Sequence, residues 1–268
     1  MHIHFLDPYR AGVSLIHRFD PRVKFVLAVA LILTNALIPP GAWPVFILLF
    51  TLILSIEILS ELGVGYVLKR SLLAIPFVLA ALPLIFTVSG QALFSFSVGP
   101  WVITITYPGM ERFFSIVLKS WLSVQVAIVL AATTSFPDLL VSMRAVRVPR
   151  LLVSIFGLMW RYLFVLADEA SRLIRARASR SGHSNLPNTK SGGKLTWRAR
   201  VTGGMAGNLF LRGIERSDRI YMAMVSRGYD GEARSMPFPV IRPSDWIVLV
   251  LGLSLLVILI TFAYLFWG

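Results

Sequence analysis

The sequence predicts an all-α protein with about five helices that span a membrane. Hydrophobic residues make up 56% of its 268 positions, charged residues only 15%, and the mean hydropathy is +0.76. Because soluble chains carry about 25% charged residues, this composition indicates a membrane protein. Helices satisfy their own backbone in lipid, and a span needs about 20 apolar residues. The apolar segments that approach this length are residues 23–38, 45–59, 71–88, 113–134 and 245–267.

Two segments depart from a plain apolar helix. Residues 71–88 contain Pro76 and Pro83, which should kink the third span. Residues 92–107, "ALFSFSVGPWVITITY", alternate between apolar and polar side chains around a central Gly-Pro pair. This pattern predicts a short β-hairpin, which we expect on the outer surface of the membrane.

Two charged side chains, Glu57 and Lys119, fall in or near the predicted spans. Long charged side chains near helix ends extend to the headgroups by snorkelling. We therefore expect both to reach the membrane surface.

The Lys and Arg residues alternate between the two sides of the predicted membrane. Loop 39–44 and region 89–110 carry none, whereas segment 134–243 holds 18 of the 26. Since basic residues favour the cytoplasmic side, we place the N-terminus and the long segment inside and the C-terminus outside. The predicted parts are 1–134 with four membrane helices, 135–243 as a cytoplasmic region, and 244–268 with the last span.

The long cytoplasmic segment combines 18 basic with 7 acidic residues, a net charge of +11. This positive charge lies on one side of the membrane, where anionic lipid would attract it. Its location argues against nucleic acid as the partner. A short amphipathic helix ends at Pro149, and a longer one from about 150 to 180 should lie along the membrane face and extend into the cytoplasm. A Gly- and Ser-rich linker, 181–194, then leads to a third helix at about 203–227.

Two of these helices end in the same way, with one arginine between small residues. The two sets are Ser179, Arg180 and Ser181, and Ser226, Arg227 and Gly228. Helix termination alone is one explanation, because a cation in the last turn gains roughly 0.3–1 kcal/mol from the helix dipole and glycine commonly ends helices. Docking to a partner protein is the other explanation. The small residues beside each arginine allow the partner's backbone to approach closely, and a guanidinium binds a carboxylate with two hydrogen bonds.

No arrangement of side chains for catalysis is evident, so we expect neither an enzyme nor a cofactor. The Gly-Lys pair before Leu195 lacks the Ser or Thr and the glycine spacing of a phosphate-binding loop. The four histidines are not spaced as a metal site on one helix. A weak amino-terminal site at His2 and His4 is the only metal alternative.

Three stretches resemble the transmembrane T component of energy-coupling factor transporters, the CbiQ-like family. They are "HRFDPRVKF" at 17–25, "RYLFVLADEASRLIRARASRS" at 161–181, and "ERSDRIYMAMVSRGYDG" at 215–231. The resemblance covers nearly the whole chain in order. It implies a scaffold that joins two ABC-type ATPase subunits to a small substrate-binding membrane subunit in a prokaryotic cytoplasmic membrane.

The resemblance also assigns the two arginines. In this family each cytoplasmic coupling helix ends in a short x-Arg-x motif that inserts into an ATPase groove. Arg180 and Arg227 match the central positions, with serine before each arginine where the family often has alanine. Ala176-Arg177-Ala178 is an alternative register for the first motif.

The substrate and two other function classes stay open at this point. The resemblance implies uptake of cobalt, nickel or a vitamin. A secondary transporter would need polar sites at mid-membrane and usually internal repeats. A lipid-metabolism enzyme would need clustered carboxylates at the cytoplasmic interface.

Overall fold

The computed structural model describes residues 8–98, 101–180, 195–231 and 240–267. Its elements, in chain order, are α1 (Leu15–Arg18), α2 (Pro21–Leu37), α3 (Trp43–Leu59), α4 (Val64–Ser71), α5 (Ile75–Ala81), α6 (Leu84–Thr87), β1 (Ala92–Val98), β2 (Trp101–Thr106), α7 (Tyr107–Thr133), α8 (Phe136–Ala145), α9 (Arg150–Arg180), α10 (Leu195–Val225) and α11 (Pro243–Trp267). The chain divides into two compact units. Helices α9 and α10 form one, the helix-pair unit, and the remaining elements form the other, the bundle unit.

The core of the bundle unit lies between α2, α3, α7 and α11. Its most buried side chains include Leu49 and Ile53 of α3, Leu122 of α7 and Ala263 of α11. The outward faces of these helices are also apolar; Leu265, for example, is 79% exposed. Apolar side chains on both faces are what a helix needs when its other neighbour is lipid.

Four helical segments are long and apolar enough to cross a membrane, judged by length and composition. They are Val64–Thr87, Tyr107–Thr133, Arg150–Arg180 and Pro243–Trp267. The first two predicted spans correspond to α2 and α3, which have 17 residues each, about 26 Å of helix. Helix α9, which the sequence analysis placed along the membrane face, therefore also meets the criteria for a span.

The third span is interrupted at both of its prolines, as predicted. A short 3-10 turn, Leu72–Ala74, precedes Pro76, and Pro83 stands at the start of α6. A proline ring has no N–H to donate and clashes with the preceding turn. The span is consequently built from α4, α5 and α6 rather than from one continuous helix.

The predicted β-hairpin is confirmed. Strands β1 and β2 pair antiparallel, from Ala92 opposite Thr106 to Val98 opposite Trp101. The Gly99-Pro100 turn lies outside the described residues. Position on the outer surface of the membrane stays a prediction.

The bounds of α9 agree with the prediction, whereas α8 ends at Ala145, four residues before Pro149, and α10 begins earlier than expected. Ser135 caps α8 by accepting a hydrogen bond from the Asp138 N–H at 3.4 Å. Helix α10 starts at Leu195 rather than near residue 203. It continues through the glycine pair at 203–204, because each glycine costs a helix only about 1 kcal/mol. The predicted linker, 181–194, lies outside the described residues.

Lys119, expected to snorkel to the membrane surface, does not extend freely but is bound within the protein, and its depth in the membrane stays a prediction. Its Nζ donates to the carbonyl oxygens of Ala36, at 2.9 Å, and Ile38. These carbonyls belong to the C-terminal end of α2, where helix carbonyls lack partners within the helix. The neighbouring Asn35 returns the contact by donating to the Lys119 carbonyl oxygen at 2.8 Å. Lys119 therefore caps α2 and joins it to α7.

Glu57 does not reach the headgroups. It is only 3% exposed in the interior of the bundle, and its Oε1 has no hydrogen-bond partner. Burying a carboxyl group without a partner is costly. Glu57 is thus a source of instability in the bundle.

We predict that Glu57→Gln keeps or raises the stability of the bundle. The amide has the same shape without the ionisable group, so the free energy of unfolding should rise by about 1 kcal/mol or stay unchanged. Thermal unfolding of the purified protein, followed by tryptophan fluorescence, measures this. Glu61→Gln is the control because Glu61 is exposed. A clear loss of stability specific to Glu57→Gln would contradict the prediction.

Candidate docking arginines on the helix pair

Helices α9 and α10, with 31 residues each, run antiparallel. Arg177 Nη1 donates to Thr202 Oγ1 at 2.8 Å. Eleven residues earlier on α9, the Leu166 side chain lies 3.8 Å from the position that a Cβ on Gly213 would occupy. Residues that lie earlier on α9 contact residues that lie later on α10, so the two helices are antiparallel. A Cβ at Gly213 would make ordinary van der Waals contact with Leu166.

A charged cluster joins the two helices near this contact. The Glu169 carboxylate lies 2.9 Å from Arg216 Nη2 and 3.6 Å from Arg212 Nη1. The Glu169 side chain is only 19% exposed, so solvent screens the Arg216 contact less than it screens a surface ion pair. One carboxylate from α9 thus holds two arginines one turn apart on α10. Sequence reasoning missed this cluster because its members lie more than 40 positions apart in the chain.

The end of α10 forms a Schellman motif around the second predicted arginine. The Gly228 N–H donates to the Val225 carbonyl at 2.9 Å, and the Tyr229 N–H donates to the Met224 carbonyl at 3.0 Å. Gly228 has a φ of +79°, the left-handed conformation that this motif requires at the position after the helix. Arg227 is exposed immediately before Gly228, two residues beyond Val225, the last residue of α10.

The two serines that precede the arginines have the same local geometry. Ser179 Oγ donates to the Ala176 carbonyl, and Ser226 Oγ donates to the Ala223 carbonyl, both at 3.0 Å. Each hydroxyl is therefore satisfied within its own helix. Either serine can then present a small surface to a partner without leaving a polar group unpaired.

The first predicted arginine stands at the last residue of α9. Arg180 is exposed and has no hydrogen bond or ion pair with another described residue. Arg177, by contrast, is tied to Thr202. This difference favours Arg180 over Arg177 as the free member of the overlapping motifs. Ser181 lies outside the described residues.

The two arginines lie at equal distances along the chain from one of the contacts between the helices, that of Leu166 with Gly213. Arg180 follows Leu166 by fourteen residues, and Arg227 follows Gly213 by fourteen residues. Each arm is therefore about 21 Å long at 1.5 Å per residue. Because the helices are antiparallel, the two arms point in opposite directions from that contact.

An apolar groove of about 590 Å³ runs between α9 and α10. Its walls include Leu158, Tyr162 and Leu209, and its rim includes Phe210, which is 68% exposed. Arg216 also lines the groove, and its Nη1 has no hydrogen-bond partner. Exposed apolar surface of this kind fits another protein or, on a helix that meets the criteria for a span, lipid.

Within the parts of the chain that the structure describes, no three His, Asp or Glu side chains cluster as in a metal site. The weak alternative at His2 and His4 lies outside the described residues.

We predict that Gly228→Ala weakens the end of α10, whereas Gly204→Ala does not. Alanine is strained at a φ of +79° and should cost about 1 kcal/mol. Gly204 has ordinary helical geometry with nothing within 4 Å of an added Cβ, so alanine there should be neutral or stabilising. Hydrogen exchange of the Gly228 and Tyr229 amides, followed by mass spectrometry, measures the effect. Equal exchange in both variants would contradict the assignment of the Schellman motif.

Comparison with known proteins identifies a matching family. The family model described as CbiQ, cobalt transport protein, matches residues 12–238. The chain is 31% identical to the cobalt transport protein CbiQ of Rhodobacter capsulatus over 66% of this chain and 67% of that protein. It is 28% identical to CbiQ of Salmonella typhimurium over 79% and 91%. It is 26% identical to the energy-coupling factor transporter transmembrane protein EcfT of Ruminiclostridium cellulolyticum over 93% and 92%.

Proposed function

We propose that this chain, which belongs to the CbiQ cobalt transport protein family, is the energy-coupling scaffold of an ABC importer. The family match confirms the resemblance seen in the sequence. The family consists of membrane components of transporters, not of enzymes, and the chain is an integral membrane protein. In our proposal the scaffold links two cytoplasmic ATPase subunits to a separate substrate-binding membrane subunit.

The observation that carries this proposal is the matched pair of helix ends. Each long helix ends in a serine whose hydroxyl is bonded internally, followed by an exposed arginine. Each arginine lies fourteen residues from the same interhelical contact. Two arms of the same length that end in the same Ser-Arg pair match two partners of similar structure. Arg180 and Arg227 would each insert into an acidic groove of one ATPase, where a guanidinium forms a bidentate contact with carboxylate.

The helix pair would transmit movement between its two ends. The Glu169 cluster and the Arg177–Thr202 hydrogen bond fix α9 against α10, which supports rigid rotation of the arms. When ATP draws the two ATPases together, the arms would turn about their contact. The substrate-binding subunit would dock in the apolar groove and respond to that turn.

We propose cobalt as the transported ion, selected by the substrate-binding subunit. The family description and the two CbiQ relatives support cobalt, whereas the EcfT relative is named only for energy coupling. We place the chain in the prokaryotic cytoplasmic membrane with its N-terminus inside. The net charge of +11 on segment 134–243 supports this orientation and would attract acidic ATPase surfaces.

Reversing both arginines should release the ATPases. In Arg180→Glu combined with Arg227→Glu, each groove would meet a like charge, at a cost of about 2–5 kcal/mol per site. Copurification of the candidate ATPases from membranes measures the loss. The matched control is Arg175→Glu combined with Arg219→Glu, because both residues are exposed on the same two helices and the change in net charge is identical.

The control separates anchoring from general attraction. We expect the control to retain the ATPases and the motif variant to lose them while still inserting into the membrane. Equal retention by both variants would show that the arginines only terminate helices. Equal loss would show that the basic field, and not the motif, holds the ATPases. Failure of the wild type to retain any ATPase would contradict the scaffold proposal.

A further inference from the structure

One aromatic ring in the bundle unit holds two arginines. The guanidinium carbon of Arg10 lies 3.7 Å from the centroid of the Tyr66 ring, and that of Arg70 lies 4.7 Å from the same centroid. The two cations can be no further apart than the sum of these distances. Both make cation–π contacts, yet they also repel each other.

Three separate segments bring these side chains together. The Arg10 N–H donates to the Ala132 carbonyl at 2.9 Å, which ties the chain before α1 to the end of α7. Tyr66 packs against the buried cluster that includes Val67 and Val129. Arg70 follows one turn later on α4. The Tyr66–Arg70 contact thus lies within α4, whereas tertiary packing brings Arg10 to the same ring.

No described carboxylate forms an ion pair with either arginine. Both side chains are exposed, and neither has a further hydrogen bond or ion pair with a described residue. Two guanidinium groups held on one ring without a counter-ion favour the binding of an anion that accepts hydrogen bonds from both. A phosphate group does so well, because its oxygens match the planar fork of arginine.

The surroundings of the pair indicate the source of the phosphate. Arg70 lies near the start of the apolar segment Val64–Thr87, which is long enough to cross the membrane. Two and three residues later on the same segment, Leu72 and Leu73 are 60% and 74% exposed. An anion bound at this site thus has apolar surface beside it that fits an acyl chain. We infer that Arg10, Tyr66 and Arg70 form a binding site for the headgroup phosphate of an anionic phospholipid.

The test uses the full-length protein purified in detergent, with phosphatidylglycerol as the probe and phosphatidylcholine as the uncharged comparison. Native mass spectrometry counts the lipids retained. Arg10→Gln combined with Arg70→Gln should weaken retention of phosphatidylglycerol at least about tenfold. Arg18→Gln combined with Lys69→Gln is the matched control, because it removes two exposed positive charges without altering the ring contacts. We expect it to retain the lipid like the wild type.

Three results would overturn the inference. An equal loss in the control would mean general attraction of anionic lipid to positive charge. Displacement of the lipid by millimolar inorganic phosphate would identify a site for free anions. Equal retention of both lipids by the wild type would show that the site does not recognise the negative charge of the headgroup.

A second variant covers the case in which the double glutamine variant does not fold. Tyr66→Leu leaves both charges in place and removes the ring that holds them. It should also lose the preference for phosphatidylglycerol. Unchanged binding in this variant would contradict a site organised by the ring.

Discussion

The attachment of α9 to α10 is the constraint on which the rest of the account depends. At its centre one partly buried carboxylate, Glu169, contacts Arg212 and Arg216. Apolar contacts alone would allow the helices to slide, because hydrophobic association has no direction. A carboxylate between two arginines fixes the register along the helix axis. The positions of both helix ends follow from that register.

Each helix end presents its arginine from an ordered backbone. At the end of α10, the turn at Gly228 satisfies two carbonyls that would otherwise lack partners, so Arg227 projects from a closed terminus. At the end of α9, Arg177 is held by Thr202 and Arg180 is left free. A backbone that is already ordered loses less entropy on binding. The pair of ends is therefore suited to oriented docking.

Local signals in the sequence predicted the helices and the hairpin, but not the contacts between them. Pro149 marks the boundary before α9 because proline restricts the backbone around it. The start of α10 was predicted eight residues too late, at about 203 instead of Leu195. Glu57 was misplaced and the partners of Lys119 were missed because the sequence does not show which neighbour covers a polar side chain. The Glu169 cluster was missed because it forms across a distance of more than 40 positions in the chain.

Site-directed crosslinking at the two serines tests the central claim most directly. The chain contains no cysteine, so Ser179→Cys and Ser226→Cys each introduce one unique thiol beside one arginine. A short thiol-reactive photo-crosslinker attached there reports the protein nearest to each helix end in the assembled transporter. The account predicts that each single variant crosslinks one ATPase subunit and that the double variant crosslinks two. Crosslinking of both ends to the membrane subunit, or of only one end to any ATPase, would contradict the account.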